Sequence, residues 1–155
     1  MINHVWTVVC SRAVIDRDSN NVSLQNVIEQ ITMEGEPGPD VGVAIPLEVV
    51  TLWARANIDM PSRGRARLTF LSPSSSVLGS FESSVDLSKY QRLRTRHCLR
   101  ALPVPEAGRY TFRVELQNEG ESEWHQVAAV PLTIIFKPPE IEQGVQKPTS
   151  VAKKG

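Results

Sequence analysis

Apolar and polar residues alternate with a period of two along almost the whole chain, the pattern of strands half-buried against a core. RARLTFL (65–71) sets Ala66, Leu68 and Phe70 on one face and Arg65, Arg67 and Thr69 on the other. RYTFRVELQ (109–117) assigns Tyr110, Phe112, Val114 and Leu116 to a core, and VLGSFESSVDL (77–87) carries a weaker stripe of Val77, Phe81 and Val85. HVWTVVC (4–10) and WHQVAAVPLTIIF (124–136) are apolar on both faces, as strands covered on two sides are. VSLQNVIEQITM (22–33) reads as one strand, the antiparallel partner of the first. VAIPLEVVTLWARAN (43–57) is the longest candidate, with Pro46 indicating an edge position or a bulge. RLRTRHCLRAL (92–102) reads as strand because its basic positions alternate strictly and turns bound it.

Between these runs lie DRDSNN (16–21), EGEPGPD (34–40), SPSSS (72–76), PVPEAG (103–108) and NEGESE (118–123), all rich in turn formers. About eight strands, short polar turns and no useful helical period predict an all-β chain, an antiparallel β-sandwich over residues 1–137. Parallel pairing would call for crossover helices, and the turns leave no room for them. From Pro138 onwards the alternation stops and Pro, Gly, Gln and Lys take over. Residues 138–155 are therefore expected to form a flexible tail.

A chain of 155 residues with 41% hydrophobic and 22% charged residues is long enough to bury a core without disulfides or metals. Its formal net charge of zero provides no overall field toward nucleic acid or membrane. The opening MINHVWTVVC lacks the basic start and apolar run of a signal peptide, and no apolar stretch approaches the length of a membrane span. Two cysteines, Cys10 and Cys98, in such a chain point to reduced thiols and the cytoplasm, with a disulfide open only if the two face each other.

Candidate chemistry is sparse. There is no GxSxG, GxGxxG or phosphate-cradling loop, and His97 and Cys98, as strand neighbours, point to opposite faces. His4, His97 and His125 have no ligand spacing, so no cofactor is expected. Asp16, Asp18 and Asn20 begin like a calcium loop, but Asn21 and Val27 stand where its glycine and bidentate glutamate belong; turn formation explains them as well.

Charge is segregated along the chain. Residues 55–113 carry a net +7, residues 1–54 a net −5 and the remainder −2. Arg63, Arg65 and Arg67 share one strand face, and Arg92, Arg94, Arg96 and Arg100 share another. In one sheet these seven would form a continuous basic interaction face able to take phosphates. The competing expectation is that Glu48, Glu115 and other outward carboxylates pair with them across strands. Phe70, Phe81, Tyr110 and Phe112 all read as core, leaving no exposed aromatic to stack bases, which argues against nucleic acid. Trp6, Trp53 and Trp124 are expected in the core, although the second apolar face beside Trp6 and Trp124 hints at a subunit interface.

PVPEAGRYTFRVEL (103–116) resembles an element of immunoglobulin-like and fibronectin-like sandwiches. There, a Pro/Gly corner feeds a strand whose first tyrosine bonds back to the turn; Gly108 and Tyr110 hold those places. Three segments, VVCSRAVIDRDSNNVSLQNVIEQI, PLEVVTLWARAN and ALPVPEAGRYTFRVEL, also resemble a family of small uncharacterised bacterial and phage proteins, a domain of unknown function. That resemblance covers most of residues 5–136 and implies a cytoplasmic bacterial or phage β-sandwich without an assigned reaction; with the corner element, the fold expected is an immunoglobulin-like sandwich. The expected function is a non-catalytic interaction module, an adaptor or assembly component that meets a protein partner or itself. The alternative is a module for a polyanion, nucleic acid or sugar, bound through the arginine strand; the basic Lys153–Lys154 end would be free to reach in either case.

Overall fold

The computed structural model describes residues 1–139; residues 140–155, including Lys153–Lys154 and most of the expected tail, lie outside the described residues. The strands are β1 (Ile2–Ile15), β2 (Val22–Val27), β3 (Gln30–Glu34), β4 (Gly42–Val43), β5 (Leu47–Arg55), β6 (Arg63–Leu71), β7 (Val77–Asp86), β8 (Arg92–Leu99), β9 (Leu102–Pro103), β10 (Gly108–Asn118) and β11 (His125–Lys137). No helix occurs among the described residues. A four-stranded sheet has the order β2-β1-β5-β8, a five-stranded sheet the order β3-β11-β10-β6-β7, and β4 pairs with β9 in a small third sheet.

Three features differ from the sequence expectation. The run 22–33 divides in two, because Asn26 takes a positive φ of 47° and the chain leaves one sheet for the other. Ile28 N–H donates to Val9 O on one side, and Thr133 N–H donates to Glu29 O on the other. With the short β4 and β9 added, the eight expected segments become eleven strands. Second, β3 lies parallel to β11, so the larger sheet is mixed and not purely antiparallel. No crossover helix is involved because the seven strands between β3 and β11 themselves carry the chain back. Third, β5 sits between β1 and β8 and is no edge; Pro46 stands just before it, where its missing N–H costs no ladder bond.

One apolar core draws on both large sheets: Val9, Val49 and Trp53 from the first, and Leu68, Phe70, Val85, Tyr110, Phe112, Leu132 and Ile134 from the second. Phe70 stacks on Tyr110 at 5.2 Å and on Phe112 at 4.7 Å between ring centroids. Trp53 is fully buried and keeps its indole satisfied, Nε1 donating to Thr95 Oγ1 at 3.0 Å. Phe81 departs from the core assignment, at 39% exposed, because β7 is an edge with no further strand beside it among the described residues. Trp6 and Trp124 are half-buried outside this core.

The corner before β10 forms as its sequence predicts. Tyr110 Oη donates to Glu106 O at 2.5 Å and accepts from Glu106 N–H at 3.3 Å. Gly108 holds φ at 134°, and a Cβ there would stand 3.0 Å from Pro73 Cγ, so both conformation and space call for glycine. At the opposite end Arg55 ties loops to β5, donating to the carbonyls of Leu87, Ile58 and Ser88. Tyr110→Phe is expected to lower unfolding stability by about 1 kcal/mol, the value of a typical hydrogen bond. Phe112→Ala, which opens the stacked core, is expected to cost about 3–5 kcal/mol. Urea denaturation of the two variants checks both the order and the sizes.

Candidate interaction surface

The alternation of β8 directs Leu93, Thr95, His97 and Leu99 toward the core and Arg92, Arg94, Arg96 and Cys98 outward, with Arg100 just past the strand end. In β6, Ala66, Leu68 and Phe70 point inward and Arg63, Arg65 and Arg67 outward. These strands belong to different sheets. The seven arginines are therefore two separate groups, and the condition for one continuous basic face is not met.

Most of these guanidinium groups have partners. Arg67 forms a fork on Glu115, Nε to Oε2 at 2.8 Å and Nη2 to Oε1 at 3.0 Å, and Arg113 Nε lies 3.4 Å from the same carboxylate. The hydrogen bond from Arg67 is the main reason that the Glu115 carboxyl is held below its ordinary range. Arg65 pairs with Glu82 and, with Arg67, covers the Trp124 ring, the two guanidinium carbons lying 5.5 and 4.4 Å from its centroid. Arg63 reaches Asp86 at 3.4 Å, with both side chains more than half exposed, so that pair contributes little.

On the other sheet Glu48 is buried, and its Oε2 accepts from Ala13 N–H at 2.8 Å with Arg96 Nε at 3.2 Å. Arg94 crosses to the β1–β2 turn, donating to Asn20 O at 2.6 Å and to Asn20 Oδ1 at 3.2 Å. It is a clamp on the folded-over hairpin. Arg92 and Arg100 have no ion-pair or hydrogen-bond partner among the described residues.

The second apolar face of β1 is covered by its own chain. Cys10, Ala13 and Val50 form a small cluster outside the main core, with Trp6, Val22 and Leu24 packed against it. On the side of Trp6, β2 thus covers part of β1, while Val5 stays 50% exposed.

Asp16 spends its carboxylate inside the turn, accepting from Ser19 Oγ and then from the N–H groups of Asp18 and Ser19, which together hold its pKa below the ordinary value. No group of three or more His, Cys, Asp or Glu side chains converges among the described residues. Cys10 and Cys98 both lie opposite Glu48, one on each side of β5. Two strand spacings, roughly 9.6 Å, exceed the reach of a disulfide, and both thiols are free. Burial, ahead of the Glu48 charge, pushes the Cys10 thiol up.

Two features escaped sequence reading. A row of threonines, Thr7–Thr51–Thr95, runs across β1, β5 and β8 on the core side. Thr7 Oγ1 bonds Thr51 Oγ1 at 3.0 Å and His4 Nε2 at 2.8 Å, while the His4 ring meets Trp53 edge-on at 5.7 Å. Alternation marks these positions as inward but does not reveal that three polar ones coincide. The second is a set of open edges. β2 covers β1 only from Cys10 onward, and β3 covers β11 only from Thr133 onward. Between the uncovered halves lies a cleft of roughly 440 Å³, lined by Thr7, Val9, Ile28, Arg109, Val130 and Pro131 among others. β7 ends its sheet, with no strand bonded to its outer side among the described residues.

Burial pushes the imidazoles of His4 and His97 below their ordinary 6.5. For a base with a depressed folded pKa, the unfolded chain binds more protons, so stability is complete above pH 6.5 and falls as pH drops through the interval beneath it. Glu115, depressed from 4.5, contributes stability above that pH and loses it as pH falls through its folded pKa. Urea midpoints are therefore expected to fall in two stages on acidification. A His4→Gln/His97→Gln double variant should flatten only the first; an unchanged wild-type midpoint between about pH 7.5 and 5.5 would contradict this.

No helix among the described residues is long and apolar enough to cross a membrane. No protein-family model matches the chain, and no curated protein matches it.

Proposed function

We propose that this chain is a non-catalytic, immunoglobulin-like β-sandwich that works through protein contact, as an adaptor or assembly component in a bacterial or phage cytoplasm. The two sheets over one core and the tyrosine corner before β10 support the fold assignment. The three-segment family resemblance supports the origin. Two free thiols with a strand between them fit a reducing compartment.

One observation carries the reading: the internal pairing of the arginines. Arg65, Arg67 and Arg96 each lie on a carboxylate, and Arg94 is spent on Asn20. The charges of Arg65, Arg67 and Arg96 are largely compensated by those carboxylates, which removes much of their attraction for phosphate groups. Apolar side chains also stay exposed at or near strand edges, as at Val5, Val27, Val77 and Phe81. Such edges accept partner strands by main-chain hydrogen bonding.

The alternative, a polyanion module, rests on Arg92 and Arg100. Titration with heparin and single-stranded DNA at several salt concentrations separates the two. The expected result is binding no tighter than non-specific, with a dissociation constant of about 10⁻⁴ M or weaker at physiological salt. Micromolar or tighter binding that falls steeply with salt and disappears in Arg92→Glu/Arg100→Glu would overturn the contact reading.

A further inference from the structure

The hairpin of β1 and β2 runs on past the sheet to which it belongs. The last residue of β1 that pairs with β5 is Cys10, opposite Glu48, and Val27 at the end of β2 pairs with the same Cys10. Beyond that level, residues 11–26 have no ladder partner outside the hairpin among the described residues. The hairpin lies instead over the outer face of β5 and β8. Three hydrogen bonds tie it to those strands: Ala13 N–H to Glu48 Oε2, and the Arg94 guanidinium to Asn20 O and Asn20 Oδ1.

Its seat is shallow. The apolar cluster beneath it has three buried members, Cys10, Ala13 and Val50, against twenty-one in the main core, and is separate from that core. The tip is not sealed, since a crevice of roughly 240 Å³ runs between Ile15 and Asn20 on the hairpin and Leu52, Tyr90 and Arg92 opposite. Arg94 Nε is buried there without a hydrogen-bond partner among the described residues. Such a donor costs stability when closed off and regains water when opened. Asn26, at φ 47°, stands one residue from the Cys10–Val27 level, where the chain already departs from regular strand.

We propose that residues 11–26 are a strap that lifts off the sheet as one unit, hinged at the Cys10–Val27 pair and latched by Arg94 on Asn20. Its internal ladder, from Arg12↔Gln25 to Ile15↔Val22, moves with it, and the two-sheet core stays packed. Few contacts break, so this opening is far less costly than global unfolding. Lifting uncovers Cys10 and Val50, which are 0% and 1% exposed when the strap is down, and frees Arg94 to stand beside Arg92 on β8. The closed form thus hides an apolar strip with a basic border.

Strap opening needs no partner and is measured on the full chain alone. Cys10 reports it, being fully covered in the closed form. In Cys98→Ser, which leaves Cys10 as the only thiol, the rate of iodoacetamide labelling reads the open fraction. Urea separates the routes, because lifting a strap exposes little surface and unfolding exposes much. The labelling rate without urea is expected at least about tenfold above what global unfolding permits, and nearly flat below the unfolding transition. Arg94→Ala should raise it about tenfold. Asn20→Gly, which keeps the carbonyl and suits the positive φ, should raise it less. Tyr110→Phe, which weakens only the main core, should leave it unchanged. A rate that climbs steeply from the first urea addition, or that rises with Tyr110→Phe, means that Cys10 is reached through global unfolding and overturns the strap. A flat rate that ignores Arg94→Ala overturns it too, since something other than Arg94 then holds the hairpin down.

Discussion

Burial of Trp53, Phe70, Tyr110 and Phe112 in a single core shared by both large sheets is the constraint from which the other features follow. Each strand that contributes to that core has a period of two, so satisfying it inward dictates what stands outward. In β6 the inward Ala66, Leu68 and Phe70 leave Arg63, Arg65 and Arg67 outside, and in β8 the inward Thr95 and Leu99 leave Arg94 and Arg96 outside. Three of the polar groups drawn inward find partners where they lie: the Trp53 indole on Thr95, the Tyr110 hydroxyl on the Glu106 backbone, and Thr7 on Thr51. Left unbonded, each would cost more than its hydrogen bond contributes.

The outward arginines are then neutralised by strand order. β10 brings Glu115 beside Arg67, β7 brings Glu82 within reach of Arg65, and β5 brings Glu48 beside Arg96. The half-buried Arg67–Glu115 fork binds more firmly than the exposed Arg63–Asp86 pair because less water screens it and two bonds fix one geometry. Arg94 has a mechanical role instead, holding the β1–β2 turn over the outer face where Val22 and Leu24 pack against Cys10 and Val50.

The single segment 22–34 serves two sheets, pairing with the second half of β1 and then with the last part of β11. It cannot cover the first halves of both, and the cleft between them is the consequence. Val5, beside the irregularity in β1, and Pro131 in β11 make those edges poor templates for another strand. β7 has no such protection. Its openness follows from its place at the end of the sheet, not from any feature of its own residues.

Much of this was legible in the chain. Alternation located every large strand, and Pro, Gly and Asp/Asn clusters located the turns, because side-chain direction and φ preferences are local properties. The Gly108–Tyr110 corner was readable for the same reason. The division of 22–33 was not, since Asn26 tolerates a left-handed conformation without requiring one. Nor was the separation of the arginine groups, the carboxylate each one meets, the distance between Cys10 and Cys98, or the exposure of Phe81 at an edge. The sequence by itself determined where the large strands lie and which face most of them bury. Only the tertiary structure decided which strands are neighbours, because pairing between segments far apart in the chain depends on how whole sheets pack, and no local pattern encodes it.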